Sequence, residues 1–244
     1  MPYENPRMTS YEDSAPQPPT TAPAPTAEEF LDLLHAQRVW DLPSLPPFDP
    51  ATAPAAPLDL FRTWFAEAVA AGQTEPHTMQ LATADAAGRP DVRTLMLHGA
   101  DASGWHFASH ATSSKGRQLA ERPEAALHFY WPAQARQIRL RGTVTAAPSA
   151  AGQADLHARS TGALAAALVG RQSEHLGSRE ELAEASEQAW RRAQDEPGAP
   201  VASWTLYVID PVEAEFFQGD ARRRHVRLRY RRTGAQWHTE LLWP

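Results

Sequence analysis

The stretch Met79-Gln-Leu-Ala-Thr-Ala84-Asp-Ala-Ala-Gly88-Arg-Pro-Asp-Val-Arg93-Thr-Leu-Met-Leu-His98 decides the fold. Two short apolar-rich runs, Met79–Ala84 and Val92–His98, flank the turn residues Asp85-Ala-Ala-Gly88, which predicts an antiparallel hairpin. The same rhythm runs on through the turn Asp101-Ala-Ser-Gly104 to Trp105–Ser109, Ala125–Trp131 and Gln137–Ala146, broken by a helix over about Ser113–Glu121. After Pro148 the chain reads as helical: Ser149–Arg159, an Ala-rich stretch around Ala163–Val169, and a longer helix from Ser178 to Pro197. There Ser178-Arg-Glu-Glu181 reads as a capping box and Glu187 with Arg191 as an i,i+4 ion pair. The last quarter returns to strands at Trp204–Ile209, Glu213–Phe217, Arg224–Arg231 and Gln236–Leu242. Strand runs punctuated by turns predict a mainly β, α+β domain over residues 58–244, an antiparallel β-barrel core with helical insertions.

Thirteen of the 22 prolines precede Leu58, a density that stops regular structure from continuing. Residues 1–57 are therefore read as a proline-rich tail, with disorder expected to about residue 25. Thr26-Ala-Glu-Glu29 reads as a capping box opening one short helix before Pro43. A second helix, Leu58 to Ala71, places Leu58, Phe61, Phe65 and Val69 at helical spacing.

No apolar run approaches the roughly 18 residues of a membrane span, and Met1-Pro-Tyr-Glu-Asn-Pro-Arg7 shows no secretory signal. Zero cysteines exclude disulfides, iron–sulfur clusters and thiolate zinc sites, and fit a reducing compartment; a cytoplasmic location is expected. A net charge of −6 argues against a nucleic-acid binder despite the arginine clusters.

Those arginines make the single lysine informative. Of 23 basic residues 22 are arginines, and only Lys115 is not. It follows Phe107-Ala-Ser-His-Ala-Thr-Ser-Ser114, and a compact ammonium after small hydroxyl residues suits a phosphate; the bland alternative is a compositional remnant. On a strand, Arg223, His225, Arg227, Arg229 and Arg231 share one face as a cationic stripe, which needs carboxylates or a bound anion to offset its repulsion. Arg93, Arg136, Arg139 and Arg141 sit among apolar residues, where arginines are normally paired. Histidines 98, 106, 110 and 128 fit no metal-ligand spacing, so no metal is expected. No G-x-S-x-G, P-loop or G-x-G-x-x-G is present. An anion site without a protein nucleophile is the situation in which a bound cofactor carries the chemistry.

Six ordered motifs carry a resemblance to a known family: Arg93-Thr-Leu-Met-Leu-His98; Phe107 to Leu119 with Ser-Ser-Lys115; Phe129-Tyr-Trp131 with Arg136-Gln137; Arg171-Gln-Ser173; Glu215-Phe-Phe-Gln-Gly219; and Arg223-Arg-His225-Val-Arg227. From about Leu58 to Pro244 the chain resembles the pyridoxine/pyridoxamine 5′-phosphate oxidases, FMN-dependent split β-barrels that dimerise with the flavin at the subunit interface. The resemblance implies that Arg93 and Lys115 hold the FMN phosphate and that Ser109, Gln137, Gln172, Ser173, Phe217 and Arg227 complete the flavin site. It further implies that His98, Arg159, Arg223 and His225 line the substrate pocket, with Arg223 and His225 catalytic, and that dioxygen reoxidises the flavin to give hydrogen peroxide. The substrate side departs from the family: His98 stands for a lysine, and Asp155 and Ala163 for a tyrosine and a serine, leaving Arg159 alone of four phosphate-holding positions. On the flavin side, Ala108 and Ser114 replace a tyrosine and an arginine. This asymmetry is similar to a sister group, the flavin oxidases of phenazine biosynthesis, and makes a reduced heteroaromatic the alternative substrate. A flavin-binding barrel without turnover is a further alternative.

Overall fold

The structure, a computed structural model, describes residues 24–37 and 45–244. The disorder expected to about residue 25 falls almost wholly outside these residues. Two units are described separately, divided after residue 39. In the first, helix α1 (Ala27–His35) opens with the expected capping box: Thr26 N donates to Glu29 Oε2 at 2.7 Å and Glu29 N to Thr26 Oγ1 at 3.3 Å.

The second unit is built on one antiparallel sheet of nine strands curled into a split β-barrel. Strands β1 (Thr78–Ala84) and β2 (Pro90–Met96) form the expected hairpin in full register. A short β3 (Gly99–Asp101) returns into β4 (Gly104–His110), then come β5 (Glu124–Trp131) and β6 (Arg136–Ala146). The remaining strands are β7 (Trp204–Gln218), β8 (Val226–Thr233) and β9 (Gln236–Leu242). The path runs β2-β1-β5-β6-β7-β4-β3, with β8 between β7 and β9.

Two expected strands, Trp204–Ile209 and Glu213–Phe217, are one strand of 15 residues. Its first half pairs with β4 and its second with β8, while both halves pair with β6. The intervening Asp210-Pro-Val212 mimics a turn in sequence because β6 bulges there, between Arg141 and Gly142. A Cβ on Gly142 would lie 2.0 Å from the Asp210 carbonyl oxygen, so the bulge admits only glycine. Arg224 precedes β8 rather than opening it.

Helix α2 (Pro57–Ala70) closes one end of the barrel. Its buried face is Leu60, Phe61, Trp64 and Ala68, while Val69, expected inside, is exposed. Phe61 meets Phe129 at 5.1 Å and Trp64 meets Phe216 at 5.3 Å between ring centres; each such buried ring contributes about 1.5–3 kcal/mol. Arg136, 2% exposed, stacks on Trp64 at 4.1 Å and pairs with Glu67 at 2.5 Å. Helix α3 (Ser114–Glu121) follows β4; α4 (Ser149–His157), α5 (Thr161–Val169) and α6 (Arg179–Asp195) lie between β6 and β7. Leu156, Leu164, Ala167, Ala193 and Val201 form a second, smaller core among them. Among the described residues no helix is long and apolar enough to cross a membrane.

Candidate functional site

Lys115 is placed by the junction of β4 and α3. Ser113 caps the helix, its Oγ accepting from Gly116 N at 3.2 Å and donating to the His110 carbonyl at 2.7 Å. A Cβ on Gly116 would sit 2.3 Å from the Ala111 carbonyl oxygen, so glycine lets the first turn press against the end of β4. Lys115 is thereby turned inward to 6% exposure. Its Nζ donates to Ser109 Oγ at 3.2 Å and Gln172 Oε1 at 2.9 Å, and among the described residues no carboxylate forms a salt bridge with it. Burial pushes the ammonium below its ordinary range and the charge of Arg93 adds to this, with Asp91 acting against. A buried cation beside a second cation, at a helix N-terminus and with neutral acceptors only, is a site for an anion.

Arg93 projects from β2 toward the same helix. Its Nη1 donates to Thr83 Oγ1 at 2.5 Å and its Nη2 to Asp91 Oδ2 at 2.5 Å and Gln118 Oε1 at 3.1 Å. Gln118 lies one turn after Lys115 on α3. From the other side Ser173, in a left-handed conformation (φ 72°), accepts Ser114 N at 3.2 Å. The loop carrying Gln172 and Ser173 is tied down by Arg171, which pairs with Glu174 at 3.2 Å and Glu181 at 2.6 Å. The capping box expected at Ser178 is consequently half made. Ser178 Oγ accepts Glu181 N, but the Glu181 carboxylate serves Gly177 N and Arg171.

Beside Lys115 opens a cavity of about 470 Å³. Leu95, Met96, Ser109 and Gln172 line its β side, and Ala163, Ala166 and Ala167 of α5 with Trp204 line the other. His98 and Arg159 stand on its wall. His98 Nδ1 is 2.8 Å from Asp155 Oδ1, and Arg159 Nη2 is 2.6 Å from His98 Nε2.

Gln137, Phe217 and Arg227 lie elsewhere, as direct cross-strand neighbours on β6, β7 and β8. They line a second cavity of about 380 Å³ with His128, Arg139 and Glu215. Arg227 is braced by Glu215 at 2.8 Å and by the Trp243 carbonyl at 2.9 Å. His225 contacts the Phe217 ring at 5.2 Å and accepts Asp220 N at 3.1 Å, and Arg223 is held with φ 63° in the connection before β8. Of the expected cationic stripe, Arg223 and His225 precede β8, while on the strand Arg227 meets Glu215 and Arg229 meets Glu240; Arg139 of β6 also reaches Glu215. The two cavities share no lining residue.

The expected residues thus fall into two groups. His98, Ser109, Arg159 and Gln172 line the first cavity, with Lys115, Arg93 and Ser173 in the adjoining cluster; Gln137, Phe217 and Arg227 line the second, His225 touches Phe217, and Arg223 lies in the connection before β8. Sequence reasoning does not single out Trp204, Thr83 or Gln118. Gln118, three residues after Lys115 on a helix, had a readable spacing signal; Trp204 and Thr83 had none. Among the described residues no group of three or more His, Asp or Glu is arranged to hold a metal.

Comparison with known proteins fits this arrangement. Residues 65–192 match the family described as pyridoxamine 5′-phosphate oxidase, and residues 204–244 match the pyridoxine 5′-phosphate oxidase C-terminal dimerisation region. A pyridoxine/pyridoxamine 5′-phosphate oxidase of Salinibacter ruber is 40% identical over 191 residues, covering 77% of this chain and 89% of that one. One from Pseudomonas fluorescens SBW25 is 41% identical over 197 residues, covering 80% and 91%. Among solved structures, PhzG from Burkholderia lata 383, in complex with tetrahydrophenazine-1-carboxylic acid, superposes with a TM-score of 0.76 at 30% identity, covering 82% of this chain and all of that one. With its split barrel and these relatives, the chain belongs to the pyridoxamine 5′-phosphate oxidase family of oxidoreductases.

Proposed function

We propose that the protein is a homodimeric, FMN-dependent oxidase of a small heteroaromatic substrate, a B6 phosphate or a reduced phenazine-type ring. The observation that carries the cofactor is the buried Lys115 ammonium, which has neutral hydrogen-bond partners and, among the described residues, no paired carboxylate. A phosphate fits there: Lys115 and Arg93 would hold its charge, with Ser173 and the N-terminus of α3 beside them. Ser109 and Gln172 face the same cavity. Gln137, Phe217 and Arg227 line a separate cavity of the same chain, so this reading requires a second copy to bring them over the flavin. The match of residues 204–244 to a dimerisation region supports that step.

FMN held there by Lys115 and Arg93 would supply the redox chemistry, a two-electron acceptor for hydride from a substrate carbon that dioxygen, with two protons in all, would return to the oxidised state as hydrogen peroxide forms. The protein's part is positioning and electrostatics. Arg159 and His98 orient the substrate from the wall of the first cavity. Arg223 and His225 approach from the second subunit, where His225 is fixed by Asp220 N and the Phe217 ring. The names of one group of relatives give pyridoxine or pyridoxamine phosphate, an aromatic pyridine whose oxidisable carbon is exocyclic, and the other relative holds a partly reduced phenazine acid; both present a nitrogen heterocycle with an oxidisable carbon. A cytoplasmic location belongs to the same reading. The test is colour and bleaching: the purified protein should be yellow or become so with FMN, and anaerobic substrate should bleach it. Protein that stays colourless after FMN incubation contradicts the proposal.

A further inference from the structure

Beyond the Lys115 cluster the basic side chains lining the first cavity are His98, Arg159 and His110; burial and the charge of Lys115 hold His110 below the usual imidazole range, and the wiring of the other two limits what they recognise. Arg159 Nη2 lies 2.6 Å from His98 Nε2. A guanidinium cannot accept a hydrogen bond, so Nε2 is the acceptor and the ring carries its proton on Nδ1. That proton is donated to Asp155 Oδ1, 2.8 Å away. The other carboxylate oxygen accepts Trp204 Nε1 at 3.3 Å and faces Arg159 Nε at 3.7 Å. Burial alone would push Asp155 up, but the hydrogen bond to His98 and its charge, the hydrogen bond from Trp204 and the charge of Arg159 hold it below the usual carboxylate range. The network therefore sets the Asp155 carboxylate against the Arg159 guanidinium, with the imidazole bridging them.

Apolar groups stand on the wall beside it, and the polar remainder of the lining, Glu75, Thr78, Thr94, Ser109 and Gln172, brings no arginine or lysine. Ala163, Ala166 and Ala167 present one smooth face of α5, and Trp204 offers an aromatic surface. A phosphate ester brings about 1.5 to 2 negative charges. Here it would meet a single guanidinium already neutralised by a carboxylate, and would lose its hydration to alanine and tryptophan. A flat uncharged ring loses little there and gains the apolar contact.

We propose that this cavity selects a flat heteroaromatic substrate carrying no phosphate group, with Asp155, acting through His98 and Arg159, as the specificity-determining residue. The inference rests on the oxidase reading above, since it names the substrate class of that same site.

The test is calorimetric titration of the FMN-saturated protein with two non-oxidisable probes, 4-deoxypyridoxine 5′-phosphate and 4-deoxypyridoxine. Wild type should bind the phosphate ester no more than about threefold tighter than the phosphate-free ring. Asp155→Asn and Asp155→Ser, each checked for folding by retained flavin colour, should shift that ratio toward the ester by about tenfold or more, as removal of one charge near a dianion requires. A wild-type preference for the ester of about tenfold or more would overturn the inference, as would an unchanged ratio in both variants, or no binding of either probe by all three proteins. Flavin colour is recorded before any probe is added. A colourless protein therefore overturns the oxidase reading, and the inference with it, in a distinguishable way.

Discussion

Replacing Lys115 by methionine should move cofactor affinity and the stability of the flavin-free protein in different directions. Methionine keeps most of the buried stem and removes the charge. If Lys115 meets the FMN phosphate, truncating one partner of a buried charged pair costs about 2–5 kcal/mol, which is roughly a 30-fold to several-thousand-fold rise in Kd. The flavin-free fold loses little, because Ser109 Oγ still donates to Gln172 Oε1 at 3.1 Å once the ammonium is gone. Two hydrogen bonds worth about 1 kcal/mol each are set against the cost of a buried cation lacking a counter-ion, so the melting temperature of stripped protein should hold or rise. The pH response carries the same signature. Burial holds Lys115 below its ordinary 10.5, so between the lowered value and 10.5 the folded chain binds fewer protons than the unfolded one and stability rises with pH. Bound phosphate favours the ammonium, so FMN affinity should fall as pH climbs through that window in wild type and not in Lys115→Met. Flavin fluorescence titrations and thermal melts of stripped protein read both effects. A variant that keeps wild-type FMN affinity yet melts well below wild type would make Lys115 a structural residue and refute the reasoning.

Arg223→Ala should leave FMN content near one per subunit while lowering turnover by about 100-fold, in the range expected for lost electrostatic positioning; lost FMN with intact turnover per bound flavin would reverse the assignment. Arg136→Ala removes a buried guanidinium from Glu67, Gln218 and the Trp64 face. The Glu67 carboxylate left behind is half exposed and takes up water, so the main loss is the donor to the buried Gln218 oxygen, about 1–3 kcal/mol, and calorimetry should show a drop in melting temperature of roughly 2–12 °C. Gly142→Ala places a methyl 2.0 Å from the Asp210 carbonyl, and should destabilise by at least about 1–3 kcal/mol in urea; a neutral result would show that the bulge can open.

Strand periodicity and turn residues made β1, β2, β4, β5 and β9 readable, because alternation and Asp/Gly turns are local signals. The continuity of β7 was not readable, since Pro211 looks like a terminator until the partner strand is seen to bulge at Gly142. The inward stripe of α2 was also misread: Val69 fits helical spacing, but the sheet meets the face bearing Leu60, Trp64 and Ala68. Lys115 and Arg93 stood out because composition isolated one and an apolar strand the other. That they face one another across α3 and β2 is a tertiary fact. The closed wiring of His98, Asp155 and Arg159 joins residues 57 and 61 positions apart, a distance over which no local pattern operates. The two left-handed residues at candidate positions, Ser173 and Arg223, are likewise invisible in a sequence, because neither is the glycine or asparagine that usually marks such backbone.

The central claim is that the Lys115 group of one subunit and the Gln137, Phe217 and Arg227 group of another make one flavin site. Co-expressing Lys115→Met and Arg227→Ala chains with different affinity tags and isolating the mixed dimer tests it directly by flavin content. Each variant alone should retain little FMN, whereas the mixed dimer should hold one tightly bound FMN per dimer, because one of its two sites inherits both intact halves. A mixed dimer as empty as its parents would show that the two groups do not meet across subunits and would contradict the account.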